Sequence, residues 1–168
     1  MFNDAQTLFN LFGQLKISYD TVSHEPFYTA EAMDAIDLSQ WNFPVKNFFV
    51  YDKKKQFFLI TVHLELPPVD LKALSKSIGA KGGISFAREE HLKEKLKVLP
   101  GSVTPYAIHN DTAQSIQVIL DKNLKESPSI SAHPMSNDQT TTISLGDLHR
   151  LYKHTGHTPQ WVEIPLKD

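Results

Sequence analysis

Three positions in this sequence could do chemistry, and each has a plainer reading beside it. Lys46 stands in the run VKNFFV, where every neighbour except Asn47 is apolar. A lysine there either snorkels to water and blunts a strand edge, or aims a compact ammonium into a cleft where it suits a phosphate oxygen. His133 precedes a proline in SISAHPMSN. A residue before proline is held extended, so the imidazole is presented at a strand end. It reads either as a hydrogen-bonded structural histidine or as a group that contacts a bound substrate. Gly101 opens GSVTP, where it can take a positive φ and let another molecule approach the backbone, while Pro105 stiffens the exit. The N–H groups of Ser102, Val103 and Thr104 belong either to an ordinary turn or to a concavity that suits an oxyanion or a carbonyl oxygen.

Other constellations fall away. The chain has no cysteine, so thiolate chemistry and disulfides are excluded. No GxSxG elbow offers a serine nucleophile. Gly82-Gly83 in AKGGIS lacks the spacing of a phosphate-binding loop and reads as a turn. His149, His154 and His157 form the nearest thing to a metal cluster among eight histidines. Gly156 is expected to end a helix between the last two, so the three need not share a face. No carboxylate stands at the spacing zinc hydrolases use, and these are read as surface histidines. No metal and no cofactor is expected.

These residues need elements to place them. DAQTLFNLFGQL carries Leu8, Leu11, Phe12 and Leu15 at helical spacing behind Asp4 as N-cap, and ISYDTVSH alternates like a short strand. Thr29 stands as N-cap to a short amphipathic helix. VKNFFVYD and QFFLITVHL, joined by the charged turn DKKK, predict a hairpin over 45–64. A helix capped by Asp70 ends at Gly79, GISFA reads as a brief strand, and REEHLKEKLKVL predicts a second helix stopped by Pro100 and Gly101. SIQVILD is a strong strand, while SISAHP and TTTISL are weaker ones. Ser144 and Gly156 bracket a helix, and WVEIPL closes as a strand. Strands and helices are interspersed and hairpins dominate. The expected fold is α+β, a single compact domain over 1–168 with a mixed, mostly antiparallel sheet flanked by helices.

A chain of 168 residues, 40% hydrophobic and 21% charged, is an ordinary soluble globular composition with room for a real core. MFNDAQTLFNLF lacks the basic region and apolar stretch of a signal peptide, and no apolar run is long enough to span a bilayer. The expectation is a cytoplasmic protein with no membrane partner. The net charge of −2 hides an asymmetry: residues 1–45 carry −5, residues 46–97 carry +5 and residues 98–168 carry −2. The basic middle third is either a solvated surface or a contact for a phosphate backbone.

These signals fall in one order along the chain. HEPFYTAEA, VKNFFVYDKK, VDLKALSKSIGA, ISFA, LPGSVTPYAIHND, VILDKNL, AHPMSNDQTTTISLGDL and TGHTPQWVEI together resemble the YbaK/prolyl-tRNA synthetase editing-domain family. The match is closest to its free-standing prolyl-tRNA deacylase branch. That resemblance implies trans-editing hydrolysis of the ester in mischarged tRNA(Pro), with alanine as the amino acid removed. The alternatives are a cysteinyl-tRNA(Pro) deacylase of the sister branch, or a module that binds tRNA or synthetase without catalysis. It implies that Lys46 contacts the phosphate of the terminal adenosine with Asn47 as its partner. Gly101, Ser102, Val103, Thr104 and Pro105 would frame the ester, His133 would sit in the pocket, and Phe27, Tyr28 and Thr29 would form its wall. Ala132 stands where a bulkier apolar residue is expected and Asp138 where threonine is, which bears on pocket size. The implied partners are mischarged tRNA(Pro) and prolyl-tRNA synthetase.

Overall fold

A computed structural model describes residues 4–25 and 42–168. The chain enters through helix α1 (Ala5–Leu15), whose first turn is capped by the Asp4 carboxylate accepting from the Thr7 amide at 3.0 Å. Its Leu8 and Phe12, one turn apart, are fully buried. Strand β1 (Asp20–Ser23) follows and is shorter than the alternation of ISYDTVSH suggests. The helix expected behind Thr29 lies outside the described residues.

The hairpin forms as expected, from β2 (Val45–Asp52) and β3 (Phe57–His63). Its turn is organised by the buried Asp52, whose carboxylate accepts from the amides of Lys54, Gln56 and Lys81. Those bonds, the one from Lys81 foremost, hold the carboxyl below the usual carboxylate range. Helix α2 (Leu71–Ser77) is capped by Asp70, and β4 (Ile84–Phe86) pairs with β2. The second helix departs from expectation. Only Glu89–His91 (α3) is α-helical, and Leu92–Leu96 continues as a wide π-type turn. It ends at Lys97, in the left-handed region at φ 57°, before Pro100 and Gly101 are reached. A 3-10 helix, Pro105–Asn110, leads to β5 (Ile116–Asp121), and another, Lys122–Glu126, leads to β6 (Ser129–Ala132). β7 (Gln139–Ser144) runs into helix α4 (Leu145–Thr155), capped by Ser144 and ended by Gly156 at φ 81°. β8 (Gln160–Val162) closes the order and takes only Trp161 and Val162 from the longer run expected.

The strands divide into two sheets. One has the order β1-β7-β6 and the other β4-β2-β3-β5-β8. Antiparallel pairings predominate, with β3-β5 and β5-β8 parallel. β3 is buried on both sides, which accounts for a run that is apolar from Phe57 to Val62 except at Thr61. Phe57 and Leu59 join Phe49, Val118 and Leu120 in a core shared with α1, α4 and the small sheet. Phe58, Ile60 and Val62 face a second core with Leu74 and Ile78 from the α2 segment.

The junction between the sheets matters most for function. Pro44 forms a parallel bridge to Ser131, the Ser131 amide donates to Phe43 O at 3.2 Å, and its hydroxyl donates to Asn42 O at 2.9 Å. These bonds seat the start of β2 against the end of β6. Lys46 and His133, distant in sequence, are thereby placed on the same opening.

Candidate active site

A cleft of about 430 Å³ lies at this junction, lined by Pro44–Asn47, Leu64, Gly101, Val103, Ser131–His133 and Thr140. Of the residues named from sequence, it brings together Lys46, Asn47, Gly101, Val103 and His133. Ser102 lines a neighbouring groove instead, and its amide closes a turn onto Leu99 O at 3.0 Å. Thr104 and Pro105 are buried and do not line the cleft. Thr104 is fully buried and its hydroxyl accepts from the Tyr106 amide at 3.3 Å, capping the 3-10 turn that Pro105 begins. The array of three amides considered for GSVTP is therefore reduced, because the Ser102 N–H is committed elsewhere. Phe27, Tyr28 and Thr29 lie outside the described residues.

Lys46 is half-buried, and its Nζ donates to Leu66 O at 3.0 Å. Burial pulls its pKa below the usual lysine value, because the charged form loses solvation. An arriving anion would restore that solvation. Beside it, Asn47 spans two elements: its Oδ1 accepts from the Thr61 hydroxyl at 2.6 Å, and its Nδ2 donates to Val103 O at 3.1 Å. Asn47 thus ties the GSVTP loop to the hairpin. Gly101 sits at φ 87°, where an L side chain is strained. A Cβ there would meet only Asn137 Nδ2, at 3.7 Å, so the need for glycine comes from the backbone angle rather than crowding.

On the other wall, His133 Nδ1 is 2.8 Å from Gln139 O. A carbonyl only accepts, so Nδ1 carries the proton. Burial lowers the His133 pKa; the Gln139 bond opposes it, the nearby His24 lowers it further, and Asp138 raises it least. The imidazole is thereby kept neutral near pH 7. His24 itself was not picked out from sequence. Its ring lies 6.0 Å from that of His133, its Nδ1 is 2.8 Å from Glu25 O, and its Nε2 is 2.8 Å from Thr140 Oγ1. Its position at the head of HEPFYTAEA was the one available signal. Thr140 was hidden among the alternating threonines of β7.

Around the hairpin tip and α2, Lys53, Lys54, Lys55, Lys72, Lys76 and Lys81 are exposed. Among the described residues none of these six has an ion-pair partner, whereas Arg88, Lys93 and Arg150 each have a carboxylate partner. The histidines at 149 and 154 are exposed, as read from sequence. His157 is not. It is buried, and its Nε2 lies 2.8 Å from Asp111 Oδ2. Asp111 also accepts from the amides of Ser115 and Ile116. The pair ties the end of α4 to the start of β5, a tertiary contact that helical spacing could not reveal.

Comparison with known proteins places the chain in a family. A model of the aminoacyl-tRNA editing domain family matches residues 24–151. The chain belongs to that family, and the expected enzyme class, an aminoacyl-tRNA deacylase, is the family's. It is 36% identical over 152 residues to the prolyl-tRNA editing protein ProX of Acetoanaerobium sticklandii, covering 90% of this chain and 92% of that protein. It is also 36% identical over 148 residues to prolyl-tRNA synthetase associated domain-containing protein 1 of Danio rerio, covering 87% of this chain and 79% of the relative. A crystal structure described as a candidate trans-editing enzyme for prolyl tRNA synthetase superposes with a TM-score of 0.66. It is 16% identical and covers 97% of each chain, a likeness of fold.

Proposed function

We propose that this chain is a trans-editing deacylase that hydrolyses the ester of mischarged tRNA(Pro), with alanine as the amino acid removed. The observation that carries the reading is the cleft itself: a half-buried lysine, a glycine loop and a neutral histidine meet at one sheet junction in a chain similar to a prolyl-tRNA editing protein. Lys46 anchors the phosphate of the terminal adenosine, and Asn47 holds the loop that frames the ester. Water attacks the ester carbonyl, the oxyanion that forms is met by the backbone amide of Val103, and its collapse breaks the ester C–O bond, releasing the amino acid and returning a proton to the ribose oxygen. With no cysteine in the chain, a thiolate intermediate is excluded. The ribose hydroxyl next to the ester assists the water, and His133 orients the aminoacyl end. The unpaired lysines of the middle third meet the acceptor stem and make binding salt-dependent. Among the described residues no helix is long and apolar enough to cross a membrane, which accords with a cytoplasmic setting. Prolyl-tRNA synthetase is the natural second partner, since the Danio rerio relative is named for association with it.

The decisive assay compares alanyl-, cysteinyl- and prolyl-tRNA(Pro) as substrates. Fastest release of alanine supports the reading. Faster release of cysteine transfers the chain to the sister activity, and no release from any of them leaves a binding module.

A further inference from the structure

One aromatic ring stands open on the basic part of the molecule. Phe86 is 54% exposed, the most exposed large hydrophobic side chain among the described residues. It lies on β4, which ends the five-stranded sheet with β2 as its neighbour. The register sets Phe86 opposite Val50, and its ring meets that of Phe48 in a T-shaped contact with centroids 6.0 Å apart. Phe48 packs against the second core, so Phe86 is braced on one side and open to water on the other. Alternate residues of a strand share a face, so Lys46, Phe48 and Val50 follow one another on this face of β2. Lys46 lines the cleft at one end of that row, about 14 Å along the strand from Val50. At the other end the hairpin tip carries the exposed Lys53, Lys54 and Lys55, with no carboxylate partner among the described residues. Lys53 lies over the approach to β4, where a Cβ on Gly82 would collide with its aliphatic stem. Tyr19, the other exposed aromatic among the described residues, is instead stacked on Phe9 in the acidic first third of the chain.

An open ring between a cleft lysine and a cluster of unpaired ammonium groups suits a single-stranded nucleic acid. The cations track its phosphates, and a base of any type stacks on the ring. We propose that Phe86 is a stacking platform for a base of the unpaired 3′ end of tRNA, one of those that precede the terminal adenosine. This rests on the deacylase reading and extends it along the strand. Lys46 holds the phosphate beside the ester, Phe86 holds a base further back, and the lysines of the hairpin tip take the phosphates beyond it. The distance from Lys46 to the position opposite Phe86, about 14 Å, exceeds one nucleotide step, so the stacked base is not the terminal adenine. Stacking meets the face of a base rather than its edge, so Phe86 contributes affinity and not base identity.

The test measures binding of two uncharged RNAs, tRNA(Pro) and the same tRNA lacking its last three nucleotides. Phe86→Ala should weaken binding of the intact tRNA by about 5- to 150-fold, the range for one base on one aromatic ring, and leave the trimmed tRNA unchanged. Phe86→Leu, which stays apolar but loses the ring, should behave like Phe86→Ala, and Phe86→Trp should keep wild-type affinity. Higher salt should weaken both RNAs and leave the Phe86 increment in place, because stacking releases no counterions. Unaltered affinity of Phe86→Ala for the intact tRNA overturns the proposal, and so does an equal loss on both RNAs, which marks a structural role. Sedimentation is run on the same proteins: a wild-type dimer that Phe86→Ala dissociates, with tRNA affinity unaltered, would make this edge a contact between copies of the chain. Release of alanine from alanyl-tRNA(Pro) is measured in parallel. No release by the wild-type protein overturns the deacylase reading, whereas release with no Phe86 effect on binding overturns this proposal alone.

Discussion

The Lys46 wall of the cleft belongs to the five-stranded sheet and carries an ammonium, whereas the His133 wall belongs to the three-stranded sheet and carries an imidazole and the Thr140 hydroxyl. The first is built on a strand pair with one core on each face, so its charge sits on a stiff platform. The second is built from a short sheet whose polar groups take their direction from backbone carbonyls. A cleft whose two walls differ in chemistry holds a substrate in one orientation.

The largest effect on activity is expected at the donor end. Lys46→Ala should lower deacylation of alanyl-tRNA(Pro) by roughly 10- to 150-fold, corresponding to about 1.5–3 kcal/mol for a hydrogen bond to a charged group. Circular dichroism and thermal melting should show the fold retained. Wild-type turnover in this variant would remove the lysine from the mechanism.

Asn47→Leu comes next. It strips partners from the Thr61 hydroxyl and Val103 carbonyl, and each orphaned group costs about 1–3 kcal/mol. Denaturant unfolding should register that loss, and kcat should fall as the loop comes free of the hairpin. An unchanged unfolding midpoint would show that Asn47 does not tie the two elements. Gly101→Ala follows, at about 1–2 kcal/mol for placing an L residue in left-handed backbone. Turnover should drop by about tenfold for that strain, with a matching loss of stability. Full activity would make GSVTP an ordinary turn.

The smallest effect on activity concerns a histidine outside the cleft, whose consequence is for stability in acid. Burial lowers the pKa of His109 to about 4, helped by His154, and among the described residues its Nε2 has no hydrogen-bond partner. Its folded pKa is depressed, so the unfolded chain takes up the proton first. Its contribution is complete above the unfolded value near 6.5 and is lost as pH falls from there to about 4. Asp111, whose pKa is also held down, adds a further loss at still lower pH. In urea unfolding across that range, His109→Leu should flatten the slope between about pH 6.5 and 4. An unchanged slope would assign the acid sensitivity elsewhere.

Much of the fold follows from local pattern. Asp4, Asp70 and Ser144 cap helices because a short oxygen-bearing side chain reaches the amides of the first turn. The hairpin of β2 and β3 follows from two apolar runs around a charged turn. The helix after Arg88 shows the limit of that reasoning. Its periodicity is real, yet the chain widens at Leu92 and turns at Lys97 so that Leu92 and Leu96 reach the core. A tertiary demand overrode the expected stop at Pro100.

The site divides in the same way. Residue chemistry raised Lys46, Gly101 and His133 as candidates beside plainer structural readings, and the family resemblance turned the reading toward function. Their convergence was decided by the Pro44–Ser131 bridge, a contact between segments far apart in sequence. The tertiary structure also decided that the Ser102 amide is spent on Leu99, that Thr104 is a buried cap, and that His24 and Thr140 belong to the cleft. The physical reason is directional. A sequence states which atoms can donate or accept, but hydrogen bonds across the fold decide which of them still face a ligand.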